Sequence, residues 1–173
     1  MMKKIIYLLC VVPILGYSQV IIGKGKTTLT NLSVSLEFGT EPKGLALPMV
    51  TSAVNTDAAG AVPGTLVFDT SDMKMKLKLS NQWYDYTVDT TGKADLTIQN
   101  KYSEVQEAKV AIGKLSQTPG ILVLEDSDKA MILPLVNTYK DIQSPTSGLI
   151  VFDTTLKLLC TYNGTVWSFW KAS

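Results

Sequence analysis

The chain has 173 residues, with 16 positive side chains that are all lysine, 15 aspartates plus glutamates, no histidine and no arginine. It therefore lacks the side chain best suited to shuttle protons near neutral pH, the commonest metal ligand, and the planar fork that grips carboxylate or phosphate in two places. The near-balance of charge offers no electrostatic footprint for nucleic acid or an anionic membrane.

Residues 1–4 give a positive start through Lys3 and Lys4, residues 5–15 are an apolar run too short to span a membrane, and Gly16-Tyr17-Ser18 places small residues at the minus-three and minus-one positions. This pattern predicts a secretory signal peptide over residues 1–18, cleaved after Ser18 or Gln19. Two other readings stay open: Cys10 as a lipidation cysteine, against which stands the bulky Leu9 before it, and an apolar first strand. Cleavage leaves Cys160 as the sole thiol, so no internal disulfide framework is expected. Its place in the apolar LKLLCTY (156–162) predicts a buried small residue rather than a reactive or intermolecular thiol.

A first unit is predicted over residues 19–88. VIIGK (20–24) opens it, and the extended apolar Leu45-Ala46-Leu47-Pro48 suits a sheet edge or strand terminus because proline lacks a donor. Residues 51–63, rich in small side chains, read as a flexible loop. GTLVF (64–68) reads as a strand, Asp69-Thr70-Ser71-Asp72 as a turn, and residues 73–79 as a strand of period two. Met73, Met75, Leu77 and Leu79 then face one side, buried, while Lys74, Lys76 and Lys78 face water and discourage edge pairing. Ser80-Asn81-Gln82 turns the chain into Trp83-Tyr84-Asp85-Tyr86, completing a three-stranded meander. Residues 89–109 are a polar linker, in which Ser103 and Gln106 give a weak capping-box signal for a short helix.

The second unit, 110–173, repeats the words of the first. VAIGK (110–114) answers VIIGK, KAMILPLV (129–136) answers KGLALPMV (43–50), GLIVFDT (148–154) answers GTLVFDT (64–70), and Trp167 answers Trp83. A duplicated unit marks a chain built for architecture. Residues 137–145 have room for one helical turn around 139–142. Aligned without gaps, Leu158, Cys160 and Tyr162 fall opposite the three lysines, which reverses the buried face. A first turn shortened by one residue and a second lengthened by one restore the phase, matching Met73, Met75, Leu77 and Leu79 with Leu156, Leu158, Cys160 and Tyr162. The expected fold is all-β, a tandem repeat of two small β-meander units with short helical turns in loops or linker. Units of roughly 60 to 70 residues sit near the lower limit for a private core, so each is expected to lean on its neighbour or on another chain.

The landmarks Ile22-Gly23, Leu36-Glu37, KGLALP (43–48), GTLVFDT (64–70) and Trp83 recur as Ile112-Gly113, Leu124-Glu125, KAMILP (129–134), GLIVFDT (148–154) and YNGTVW (162–167). This order resembles a repeat of secreted bacterial surface proteins, seen in tail-fibre-like and adhesin-like molecules. The resemblance covers nearly all of the chain after residue 19. It implies an extracellular β-rich module that self-associates, including as a trimer, and it implies no catalytic residues. Relatives usually carry an arginine after the Leu-Pro pair, where this chain has Met49 and Leu135.

Three classes of function follow. The first is a structural or interaction module without catalysis, exported to the outer cell surface or beyond, with the periplasm left open; its partners are copies of itself or other surface proteins. No cofactor is expected, and no membrane span after cleavage. The second is a carbohydrate-binding surface protein that stacks exposed aromatics on sugar rings, with Tyr84 and Trp170 as candidate binding residues for glycan or partner, while Trp83 and Trp167 pack as core. The third is a hydrolase built on Asp69 with Asp85 or Asp153, disfavoured because Asp69 and Asp153 sit where a turn wants an aspartate. Glu125-Asp126-Ser127-Asp128 lacks the full ligand spacing of an EF-hand and reads as an acidic turn, and residues 23–28 lack the spacer of a phosphate loop.

Overall fold

The computed structural model describes residues 19–103, 105 and 108–171. The predicted signal peptide, with Cys10, and Gln106 of the predicted capping box lie outside them. In the first unit β1 (Val20–Ile22) runs parallel to β2 (Val34–Phe38), followed by β3 (Leu45–Ala46), β4 (Met49–Val50), α1 (Ala53–Ala58), β5 (Leu66–Asp69), β6 (Lys74–Lys78) and β7 (Trp83–Asp85). After a 3-10 turn at Gln99–Lys101, the second unit sets β8 (Val110–Ile112) parallel to β9 (Leu122–Leu124). Then come β10 (Ala130–Met131), β11 (Leu135–Val136), a 3-10 turn at Tyr139–Asp141, β12 (Leu149–Asp153), β13 (Leu158–Tyr162) and β14 (Trp167–Trp170). The described residues are all-β apart from these short helical pieces, and the two units repeat one order of elements.

Each meander is extended on one side by the segment after the Leu-Pro pair. β4 lies parallel to β5, with Met49 opposite Phe68, and β11 lies parallel to β12, with Leu135 opposite Phe152. The prolines, unable to donate, still accept: Phe68 N–H donates to the Pro48 carbonyl and Phe152 N–H to that of Pro134, both at 2.9 Å. Proline thus sits where only its acceptor is needed.

The expected change of turn lengths does not occur. Asp69 pairs with Lys74 and Asp153 with Leu158, so each first turn holds four residues. The left-handed turn residues Met73 (φ 60°) and Lys157 (φ 59°) are equivalent. Lys78 pairs with Trp83 as Tyr162 pairs with Trp167, so the second turns match as well. The gapless alignment holds, and Lys74, Lys76 and Lys78 occupy the positions of Leu158, Cys160 and Tyr162.

The face does reverse its chemistry, and both versions are covered. In the second unit Val136, Val151 and Cys160 are buried together under Tyr139, Ile142, Leu158 and Trp167. In the first, the lysine side chains are only 19, 14 and 11 % exposed, because carboxylates cover them. Lys74 meets Asp85 at 2.7 Å, Lys76 meets Asp72 at 2.7 Å and Asp69 at 3.3 Å, and Lys78 meets Asp57 at 2.7 Å with its ammonium 5.4 Å from the Trp83 ring centroid. The expectation failed because it required one face to keep one polarity, whereas a charged face can also be buried if each charge is paired.

The opposite faces of the two meanders share a core. Leu47, Phe68, Met75 and Ile150 are buried there, with Leu45, Met49, Leu133, Tyr86 and Leu159 packed around them. A fully buried side chain of this size contributes about 1.5–3 kcal/mol. Backbone pairing also crosses between units: β3 of the first lies antiparallel on the start of β12, and β10 of the second lies parallel on β2.

Residues 51–63, expected as a flexible loop, contain α1. Its N-cap Ser52 makes no side-chain cap bond; the Ala53 N–H donates instead to Asp69, 16 residues away, at 2.8 Å. A cap supplied from so far along the chain leaves no local signature.

If the two faces are built on incompatible chemistry, C160K should destabilise the chain by more than about 3 kcal/mol, since it buries a charge beneath aromatic rings where the one nearby carboxylate, Asp153, is already committed to three backbone N–H groups. Urea unfolding of C160K beside C160A checks this, with the alanine variant expected to lose far less.

Candidate interaction surface and the buried carboxylates

Asp69 and Asp153 end the first strand of each meander, β5 and β12, and do the same work. Asp69 Oδ1 accepts from the N–H (2.9 Å) and hydroxyl (2.6 Å) of Ser71 across the turn, while Oδ2 accepts from Ala53 N–H at the start of α1. Asp153 Oδ1 accepts from Thr155 N–H (3.0 Å) and Leu156 N–H (2.7 Å), and Oδ2 from Tyr139 N–H (3.0 Å) at the start of the 3-10 turn. Both are buried. Burial alone would raise each carboxyl, but the hydrogen bonds outweigh it and hold both below the ordinary aspartate value near 3.8, with the Lys76 charge adding to the effect at Asp69. Asp69 and Asp85 both lie near Lys76, at 3.3 and 3.6 Å, so an ammonium stands between the two carboxylates.

Other acidic residues are also engaged. Glu37, buried on β2, accepts from Lys26 Nζ (2.6 Å) and from the Thr30 N–H (2.9 Å) and hydroxyl (2.6 Å), organising the loop that joins β1 to β2. Lys26 of the glycine-lysine stretch is thereby occupied. Glu125 accepts from the Ser116 hydroxyl (2.7 Å) and N–H (3.2 Å) and meets Lys109 at 3.4 Å, and Asp126 pairs with Lys129 at 3.2 Å. The two glutamates are not register equivalents: Ile22 lies opposite Phe38 and Ile112 opposite Leu124, so Glu37 corresponds to Val123. A shift of two residues preserves the facing of the side chain.

Cys160 is 0 % exposed, and burial, reinforced by the Asp153 charge, pushes its thiol up to about 11. It packs as a small apolar residue. A groove of about 420 Å³ between the units is lined by Lys26, Glu37, Thr40, Ile132, Leu135 and Asn137. Its Glu37 carboxylate is already committed to Lys26.

The candidate residues Tyr84 and Trp170 are 48 and 44 % exposed. Tyr86 links them, with ring centroids 5.5 Å from Tyr84 and 5.9 Å from Trp170, both edge-to-face. Sequence reasoning named the two ends of this strip without the ring that joins them. Tyr84 and Tyr86 face one side of β7, and the packing of one meander on the other brings Trp170 of β14 beside them. A second cluster sets Tyr139 5.4 Å from Trp167 and 4.9 Å from Phe169, so Trp167 is partly buried while Phe169 stays exposed.

A motif that carried no predicted function turns out to fasten the stretch between the units to the second unit. Asn163 is buried; its Oδ1 accepts from Thr165 N–H (3.0 Å) and Val166 N–H (2.8 Å), and its Nδ2 donates to Asp89 at 2.7 Å. Lys93 N–H donates to the Asn163 carbonyl at 3.0 Å, and the Ser147 hydroxyl donates to the Lys93 carbonyl. Gly164 (φ +95°) lies against that carbonyl, where any side chain would collide.

Residues 111–172 match the family model described as "Phage tail like trimerisation region". The matched stretch covers β8 almost entirely and all of β9 to β14, so the second unit is similar to a trimerisation region of phage-tail-like proteins. No curated protein and no solved structure matches the chain.

The depressed carboxyl of Asp153 links stability to pH. Its contribution is fully present above the ordinary aspartate value and is lost as pH falls through the lower folded value, so thermal stability should decline below about pH 4. D153N, which turns an amide donor toward backbone N–H groups, should cost about 2 kcal/mol at neutral pH and flatten that decline. Thermal unfolding of both proteins between acid and neutral pH measures the two effects.

Proposed function

We propose that this chain is a structural, self-associating module of a tail-fibre-like or surface assembly, acting without catalysis. The observation that carries the reading is the match of residues 111–172 to a phage-tail-like trimerisation region. Two features support it: a tandem repeat that spans most of the chain, and exposed apolar side chains on β9, β11 and β14, including Leu122, Leu135, Phe169 and Trp170. The protein functions outside the cytoplasm in this reading, exported by residues 1–18 and folded as two repeat units over 19–88 and 110–173. Its partner is itself, as a trimer. Native mass spectrometry and light scattering on the chain freed of residues 1–18 should give three times the chain mass; a monomer at every concentration overturns the proposal.

A second reading rests on the Tyr84–Tyr86–Trp170 strip, whose exposed edges suit stacking on a sugar ring. Under it, Y84A and W170A abolish binding on a glycan array while leaving the unfolding transition unchanged. Binding that survives both substitutions sinks it.

A further inference from the structure

The strand before each Leu-Pro pair makes only one of two contacts that the repeat allows. In KAMILP, β10 lies on β2, and Ala130 N–H and Ile132 N–H donate to the carbonyls of Ser33 and Leu36, both at 2.9 Å. In KGLALP, the equivalent β3 lies on β12, and it is Leu47 N–H that donates, to the Gly148 carbonyl at 3.0 Å. Alternate residues of a strand direct their backbone groups to opposite edges. The two copies of one strand therefore use opposite edges, the first binding a meander and the second a parallel pair.

Each contact has an unfilled counterpart. Leu36, opposite Val20 and covered by β10, is 0 % exposed; Leu122, its equivalent opposite Val110, is 41 % exposed, and β8 and β9 form a sheet of two strands. Gly148, at the start of β12, has Phe68 Cβ 3.0 Å and the Leu47 carbonyl 3.6 Å from the position of a Cβ, whereas its equivalent Gly64 faces open space. The edge of β3 that carries Ala46 is exposed, and the chain places no strand on it among the described residues.

We propose that a second copy of this chain fills these places, with β3 of one copy lying parallel on the outer edge of β9 of the next. The pairing repeats the contact that β10 makes with β2, setting Leu45 opposite Leu122 and directing Ala46 N–H at the Leu122 carbonyl. The same logic sets β10 against the start of β5 in a neighbouring copy, with Leu133 N–H directed at the Gly64 carbonyl. The occupant is this chain because the interface continues the one its two units already build with each other. A segment of the same sequence pattern, in the same register, already occupies each equivalent edge. The contact is heterologous, since different surfaces meet, so it closes into a ring when the rotation permits. This inference rests on the self-association proposed above and names its surface.

The test mixes two single variants, A46C and L122C, treats them with a short thiol-to-thiol cross-linker, and identifies linked peptides by mass spectrometry. The variants are made in the chain freed of residues 1–18, and so of Cys10; the expected product joins the two introduced thiols between chains, and Cys160 is buried and does not compete. An oligomer that shows no such link overturns the edge assignment and leaves self-association standing, whereas a monomer overturns both. Separately, L122K, which places a charge on the β9 edge, should raise the concentration at which the assembly half-dissociates by about tenfold or more. L115K, at an exposed leucine beyond β8, should leave it unchanged. An L122K protein that assembles as well as L115K overturns the proposal.

Discussion

A single buried aspartate at the end of its first strand holds each meander together. Asp69 and Asp153 use one carboxylate oxygen to close the turn into the next strand and the other to cap a short helical segment that arrives from the parallel neighbour. Each thereby joins three pieces of chain. The adjoining threonine completes the junction: Thr70 and Thr154 donate both N–H and hydroxyl to the carbonyls of Val50 and Val136. The Asp-Thr pair after the aromatic residue is thus a structural joint, and the demand for a carboxylate there comes from backbone donors that would otherwise be buried without partners.

On this shared frame the two units finish one face in opposite ways. The first covers it with lysines held by Asp57, Asp69, Asp72 and Asp85, the second with Val136, Val151 and Cys160 beneath aromatic rings. Paired charges in a partly buried site give direction and register, while apolar burial supplies more stabilisation per unit area. The backbone repeat therefore outlives the chemistry of its side chains.

Much of the architecture was legible because it is written in local patterns. The doubled words around Val20 and Val110, the alternation of residues 73–79 and the recurring tryptophans named the strands, the meanders and the duplication. What was not legible depended on distant partners. Helix α1 takes its cap from Asp69, the lysine face takes its cover from four aspartates on three segments, and two-residue strands such as β3 and β10 acquire identity only from the edges they meet. For the candidate surface, Tyr84 and Trp170 were picked out as exposed because they fall off the phase of the repeat, but their meeting through Tyr86 required the packing of one meander on the other.

The polar stretch between the units is a strap, fastened to the second meander. Asp89, Thr91 and Lys93 bond to Asn163, Thr165 and Ser147, and Gly92 lies so close to Asn163 and Met73 that a side chain there would have no room. A recombinant fragment meant to carry the C-terminal half alone therefore has to begin near Asp89, upstream of the first repeated word, or its Asn163 turn would lose the backbone that seals it from water.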